Sequence, residues 1–186
     1  MQAHPNGRDR LNCFALVAYI PDPLGKFLDD LRRELVPGCV PHAHVTILPP
    51  RPLSSAVDGA IPILRGLASD FPPFEIEAVS IEVFPVTDVV YVEVGIGGAQ
   101  LHQMHDVMNS GPAGFHEPFD YHPHITLAQE LTRDRSVECA AIARRRWAEF
   151  PHSRRFTADK LWFVQNTVDN RWIDLAQFSL AAVPVR

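Results

Sequence analysis

The chain has 186 residues, 46% of them hydrophobic and 21% charged, which suits one folded domain with a sizeable core and excludes a disordered tail. Its 17 Lys and Arg against 22 Asp and Glu leave a net charge of -5, which excludes the generally cationic surface that wraps extended duplex nucleic acid. No apolar run reaches the roughly 18 residues of a bilayer span, residues 1–10 are too polar for a secretory signal, and Cys13, Cys39 and Cys139 are odd in number and widely spaced; the expectation is a soluble, cytoplasmic monomer with reduced thiols and no membrane partner.

Phe14 to Ile20 is a short apolar run stopped by Pro21, the pattern of a strand covered on both faces. Asp22 then offers an N-cap and Pro23 a first-turn proline, and Leu24, Phe27, Leu28, Leu31 and Leu35 recur at helical spacing until Pro37-Gly38. His42 to Leu48, closed by Pro49-Pro50, reads as a second strand from its β-branched residues and alternation. A helix is expected between Ser54 and Asp70, with Pro62 limiting how early it begins. Phe74 to Phe84 and Val89 to Ile96 form a hairpin around Pro85-Val-Thr-Asp88. Leu101, Met104, Val107 and Met108 mark a short helix ended by Gly111-Pro112, and His122 to Ala128 is again strand-like. A helix over Arg133 to Phe150 and strands over Arg155 to Gln165 and Trp172 to Leu180 complete the chain. The order strand, helix, strand therefore occurs twice, over about 14–48 and 89–128, and predicts a single domain, residues 1–186, of two related lobes.

The repeat extends to side chains: His42-Ala-His44-Val-Thr46-Ile in the first unit and His122-Pro-His124-Ile-Thr126-Leu in the second, offset by 80 residues. One H-x-T arises by chance about 0.3 times in a chain of this composition, so a single copy carries little weight and two copies in matching positions carry much. The strand period of two puts His44 and Thr46 on one face and Val45 on the other, and likewise His124, Thr126 and Ile125. If the units pack about a two-fold axis, two imidazoles and two hydroxyls meet in one cleft. The hydroxyls suit the non-bridging oxygens of a phosphate, while one imidazole removes a proton and the other supplies one. Ordinary imidazoles titrate at about 6.5, so the expectation is one neutral and one protonated ring near pH 7.

With these motifs the sequence resembles the two-histidine (2H) phosphoesterase superfamily, which includes 2'-5' RNA ligases and cyclic nucleotide phosphodiesterases, over residues from about Phe14 through Ala128. The resemblance implies a bilobal α+β fold, two pseudo-symmetric β-α-β lobes with antiparallel sheets flanking a central cleft. It also implies cleavage or formation of phosphodiester bonds with no metal and no cofactor. His44 and His124 would then be acid and base, Thr46 and Thr126 would hold the phosphate, and the substrate would be a small nucleotide or an RNA end.

One departure stands out. Many relatives carry a basic residue shortly after the second motif, where this chain has Ala128-Gln129-Glu130. The substitutes the sequence offers are Arg51 and Arg171, each weighed against an exposed ion pair. Tyr19, Phe115, Phe119 and Tyr121 could stack on a base, against the alternative of core packing. His42 and His122 are expected at the cleft rim, touching substrate or solvated. A four-imidazole metal site from the two H-x-H pairs is the rival of another class; it lacks a carboxylate in phase and leaves both threonines unexplained.

Overall fold

The computed structural model describes residues 9–181, in which two four-stranded antiparallel sheets are each covered by helices. The elements are β1 (Arg10–Tyr19), α1 (Leu24–Leu35), β2 (His44–Arg51), α2 (Val57–Ser69), β3 (Phe74–Val83), β4 (Val90–Val94), α3 (Gly98–Met108), β5 (His124–Ala128), α4 (Arg133–Glu149), β6 (Arg155–Ala158), β7 (Lys160–Thr167) and β8 (Trp172–Ser179). One sheet has the order β2-β1-β7-β8 and the other β5-β4-β3-β6. The fold is therefore bilobal α+β, with β1-α1-β2 in one lobe and β4-α3-β5 in the other.

The crossover helices are exchanged between lobes. α1 connects two strands of the first sheet yet packs chiefly against β5 and α4, and α3 connects two strands of the second yet packs against β2 and α2. Each lobe thus buries the helix of the other, and one continuous core runs through both, including Leu28, Val45, Leu64, Ile76, Leu101, Ile125 and Phe163. Burial of these side chains, worth about 1.5–3 kcal/mol each, couples the lobes rather than stabilising each alone. Close approach at the handovers requires glycine. A Cβ on Gly25 would lie 2.1 Å from the Ile20 carbonyl oxygen, and one on Gly97, where φ is 88°, would lie 2.5 Å from the Glu75 carbonyl oxygen.

Several boundaries differ from the sequence expectation for identifiable reasons. β1 starts at Arg10 because Arg10 pairs with Thr167 of β7, a contact that the exposed residues Arg10 to Asn12 do not advertise as hydrophobicity. Pro23, not Asp22, is the N-cap of α1 and supplies no side-chain bond; Asp22, one residue earlier, accepts from the Lys26 amide at 2.9 Å. β2 runs through Pro49-Pro50 to Arg51, tolerable because β2 is an edge strand where a missing N–H removes no second ladder. α2 contains Pro62 within its span, on its exposed face.

The expected strand Arg155 to Gln165 is two strands in different sheets. β6 pairs with β3 and β7 with β1 and β8, the chain crossing at Asp159. The buried positions change parity there, from Phe156 and Ala158 to Leu161 and Phe163.

Candidate active site

β2 and β5 lie side by side where the two sheets meet, and each begins with its motif histidine. On β2, His44 is opposite Tyr19 and Thr46 opposite Val17; on β5, His124 is opposite Glu93 and Thr126 opposite Tyr91. Val45 and Ile125 are fully buried, while the two histidines and two threonines are half-buried on the other strand face. Neither threonine hydroxyl is engaged by the described residues, so both are available to a ligand. The small apolar cluster of Ala15, Val17 and Val164, with Tyr19 and Trp162 against it, lies apart from the main core on the same face of β1 as the residues opposite the first motif.

The same local device fixes both imidazoles. His44 Nδ1 lies 2.6 Å from the His42 carbonyl oxygen, and His124 Nδ1 lies 2.6 Å from the His122 carbonyl oxygen. A carbonyl only accepts, so Nδ1 carries the proton and donates, and Nε2 keeps the lone pair. This use of the His42 carbonyl explains why β2 begins at His44 and not at His42 as expected.

Burial pushes His44 down to about 4 and pushes His124 down as well, while the carbonyl bond opposes burial in each. His44 is lowered further by the positive charge of Arg32 and by His42 and His124; His124 is lowered by His122 and raised by Glu93. Both rings are therefore neutral at pH 7 in the free protein, which corrects the expectation of one neutral and one protonated ring.

The surroundings of the two rings are unequal. Glu93 Oε2 lies 3.0 Å from His122 Nε2, placing a carboxylate directly at the second motif. At the equivalent place in the first lobe stands Tyr19, whose ring stacks on His42 at 3.5 Å and 11°, and whose hydroxyl donates to Asp174 at 2.6 Å. There the carboxylate is one phenol ring removed from the imidazole. The stacked pair Phe84 and Tyr91 packs edge-on against His124, with centroids 5.1 and 5.5 Å away. Glu93, Tyr91, Phe84 and Asp174 were not singled out from sequence. Strand parity in β4 would have found Tyr91 and Glu93, which alternate with Val90, Val92 and Val94.

The two arginines expected at the phosphate are elsewhere. Arg51 is only 2% exposed and opposite Phe14, five residues along β1 from Tyr19, which is roughly 17 Å from the histidines. Its guanidinium is satisfied by Glu117, by Asn109 Oδ1 at 2.7 Å and by the Pro49 and Ala113 carbonyls. A buried, fully partnered guanidinium has no donors left for a substrate. Arg171 lies in the β7–β8 turn, next to Thr167, which pairs with Arg10 at the end of β1 remote from Tyr19.

Tyr121 is likewise not an open stacking face. Its ring lies on His105 at 4.1 Å and 6°, and its hydroxyl donates to the Thr46 carbonyl oxygen at 2.7 Å, tying the segment before the second motif to the backbone of the first. Phe119 is 63% exposed and lines, with Phe115, His102 and His105, a cavity of about 400 Å³ between α3 and residues 115–121. Asp106, Glu117 and Asp120 also face that cavity, Glu117 being paired with Arg51 and His105. His42 and His122 are exposed, each held by a neighbour, Tyr19 and Glu93 respectively. The H-x-H pairs do not form a cage: among the described residues, no three His, Cys, Asp or Glu side chains converge as metal ligands.

Comparison with known proteins agrees with this fold. A Bacillus licheniformis protein provisionally named a phosphoesterase is 25% identical over 141 residues, which are 75% of this chain and 80% of that protein. A crystal structure described as a phosphoesterase superposes with a TM-score of 0.62 at 16% identity, covering 94% of this chain and 99% of its own. E. coli LigT, crystallised with 3'-AMP, gives 0.60 at 16% identity over 94% of this chain and 99% of its own. These likenesses carry the fold. The family itself is carried by the match of residues 20–170, a span that contains both motifs, both crossover helices and the starts of six of the eight strands, and on that match the chain belongs to the 2'-5' RNA ligase superfamily.

Proposed function

We propose that the chain is a metal-independent phosphodiesterase that hydrolyses a cyclic phosphate or a 2'-5' phosphodiester of a nucleotide or RNA end. The observation that carries this reading is the duplicated imidazole: two rings, each with Nδ1 fixed 2.6 Å from the carbonyl two residues back, and each followed by an unengaged threonine hydroxyl on the same strand face. His44, the more depressed of the two by position and charge, is the base, its Nε2 removing the proton of the attacking water. His124, with Glu93 beside it, is the acid in its protonated form, the imidazolium passing its Nε2 proton to the leaving oxygen as the P–O bond breaks and keeping the Nδ1 proton on the His122 carbonyl. The threonine hydroxyls donate to the non-bridging oxygens. Support for the ligand class comes from E. coli LigT, which has been crystallised with 3'-AMP and with phosphate.

Incubation with 2',3'-cyclic nucleotides and a 2'-5' linked dinucleotide, with and without EDTA, tests the reading. Hydrolysis indifferent to chelator is expected. Absence of turnover on both substrates overturns it, as does activity lost to EDTA and restored by a divalent ion. Incubation of RNA fragments bearing 2',3'-cyclic phosphate and 5'-hydroxyl ends reads the reverse direction, ligation, which uses the same groups.

The acid-base assignment has a pH consequence. For kcat/KM, activity on the acid side is lost as His44 gains a proton, near pH 4, and on the alkaline side as His124 loses one, below pH 6.5. The optimum therefore lies on the acid side of neutrality. Glu93 raises His124, so Glu93→Gln lowers it further, moves the alkaline limb to lower pH and leaves the acid limb in place. An unmoved alkaline limb, or a shift of the acid limb instead, overturns the assignment.

A further inference from the structure

Both imidazoles are neutral in the free protein at pH 7, so the phosphate site lacks a permanent cation, and Gln129 and Glu130 follow β5 where a basic residue would serve. The described arginines are mostly committed. Arg51, Arg133, Arg135, Arg146 and Arg155 pair with carboxylates, and Arg144 and Arg154 donate to main-chain carbonyls.

Arg32 differs. It is half-buried in the last turn of α1, its Nε is shielded from solvent without a hydrogen-bond partner, and no ion pair forms with it among the described residues. Asp29, one turn back, contributes an attractive charge, but its Oδ1 is itself buried without a partner, so the two do not satisfy each other. Neutral or charged polar groups left unsatisfied in a half-buried place are costly, and retained ones point to a ligand.

Position agrees. The Arg32 carbonyl accepts from the Val36 amide at 2.9 Å and the Cys39 thiol at 3.4 Å, anchoring the turn from which the chain enters the first motif. α1 packs on β5, the strand of the second motif, and the Arg32 charge is felt at His44. The exchange of crossover helices thus carries this guanidinium on a helix packed against the second motif strand, with its charge acting on the histidine of the first. A planar fork of donors matches two phosphate oxygens better than an ammonium does.

We propose that Arg32 is the cation that binds the substrate phosphate, doing from α1 what a basic residue after β5 would otherwise do. The assignment rests on the phosphodiesterase reading for its chemistry, but its binding claim stands alone and is tested alone. Titration calorimetry with inorganic phosphate and with a nucleoside 3'-monophosphate is run on the full chain and on Arg32→Met, Arg32→Gln, Arg32→Lys and Arg145→Met, the last an exposed α4 control. Thermal midpoints verify folding, and the two neutral variants guard against one that fails to fold. The expected result is a loss of about tenfold or more in affinity for both ligands in Arg32→Met and Arg32→Gln, a smaller loss in Arg32→Lys and none in Arg145→Met. KM rises in parallel. Undiminished phosphate affinity in the folded neutral variants, with hydrolysis intact, overturns the role of Arg32 and leaves the phosphodiesterase reading standing. Affinity lost in those variants of a protein that hydrolyses no phosphodiester keeps the Arg32 site and removes the reaction. A parent protein that binds neither ligand overturns both.

Discussion

Replacement of either motif histidine by alanine is expected to lower kcat on a 2',3'-cyclic nucleotide by about 100- to 10,000-fold, the range for loss of one positioned acid or base. The double variant is expected to lose little more than the worse single one, because a proton relay with one member gone no longer uses the other. The two singles are separable. A phosphodiester with an activated leaving group such as p-nitrophenolate needs no protonation as it departs, so His124→Ala recovers most of its loss on that substrate and His44→Ala does not. Recovery in His44→Ala instead reverses the assignment, and full activity in either variant on the cyclic substrate overturns acid-base catalysis by the pair. KM is expected to change little, since the phosphate is held chiefly by the threonine hydroxyls and the guanidinium rather than by the imidazoles.

That polarity was not legible in the sequence, whereas the pair itself was. H-x-T twice at matching strand starts is a local signal, because the period of two dictates which residues share a face wherever the strand goes. What stands opposite a strand is not local. Tyr19 facing His44 and Glu93 facing His124 follow from the registers of β1 with β2 and of β4 with β5, and these are set by packing on the far face. The arginines failed for the same reason. Arg51 is close to His44 in sequence, but a strand extends about 3.3 Å per residue, so seven residues carry it out of reach. Arg32 is twelve residues from His44 on a helix whose pattern shows only its apolar face, and the turn through Cys39 folds the chain back so that its charge acts on His44. The order of elements was readable because each helix and strand announces its own period; the exchange of α1 and α3 between lobes was not, because an amphipathic face does not name the surface it covers.

The threonines set the second large effect. Thr46→Val and Thr126→Val preserve shape and remove one hydroxyl, and each is expected to reduce kcat/KM by about 10- to 100-fold, the worth of a hydrogen bond to a charged group. Thr→Ser at either position restores activity to within a few-fold, since the donor remains. Inequality between the two is also expected. The backbone of Thr46 is held through its carbonyl by the Tyr121 hydroxyl at 2.7 Å, which fixes the first motif against the segment leading into the second. A hydroxyl on a pinned backbone arrives oriented, so its loss falls mainly on kcat, where pre-organised donors act on the transition state. Thr126 stands opposite the ring of Tyr91 in the register of β5 with β4, and its loss falls more evenly on kcat and KM. Tyr121→Phe joins these results: it keeps both hydroxyls but releases the pin, so it lowers kcat in the Thr46 manner while leaving the affinity for inorganic phosphate near that of the parent. A Tyr121→Phe protein with parental kcat removes the pinning argument, and a Thr46→Val protein with parental kcat/KM removes that hydroxyl from the phosphate.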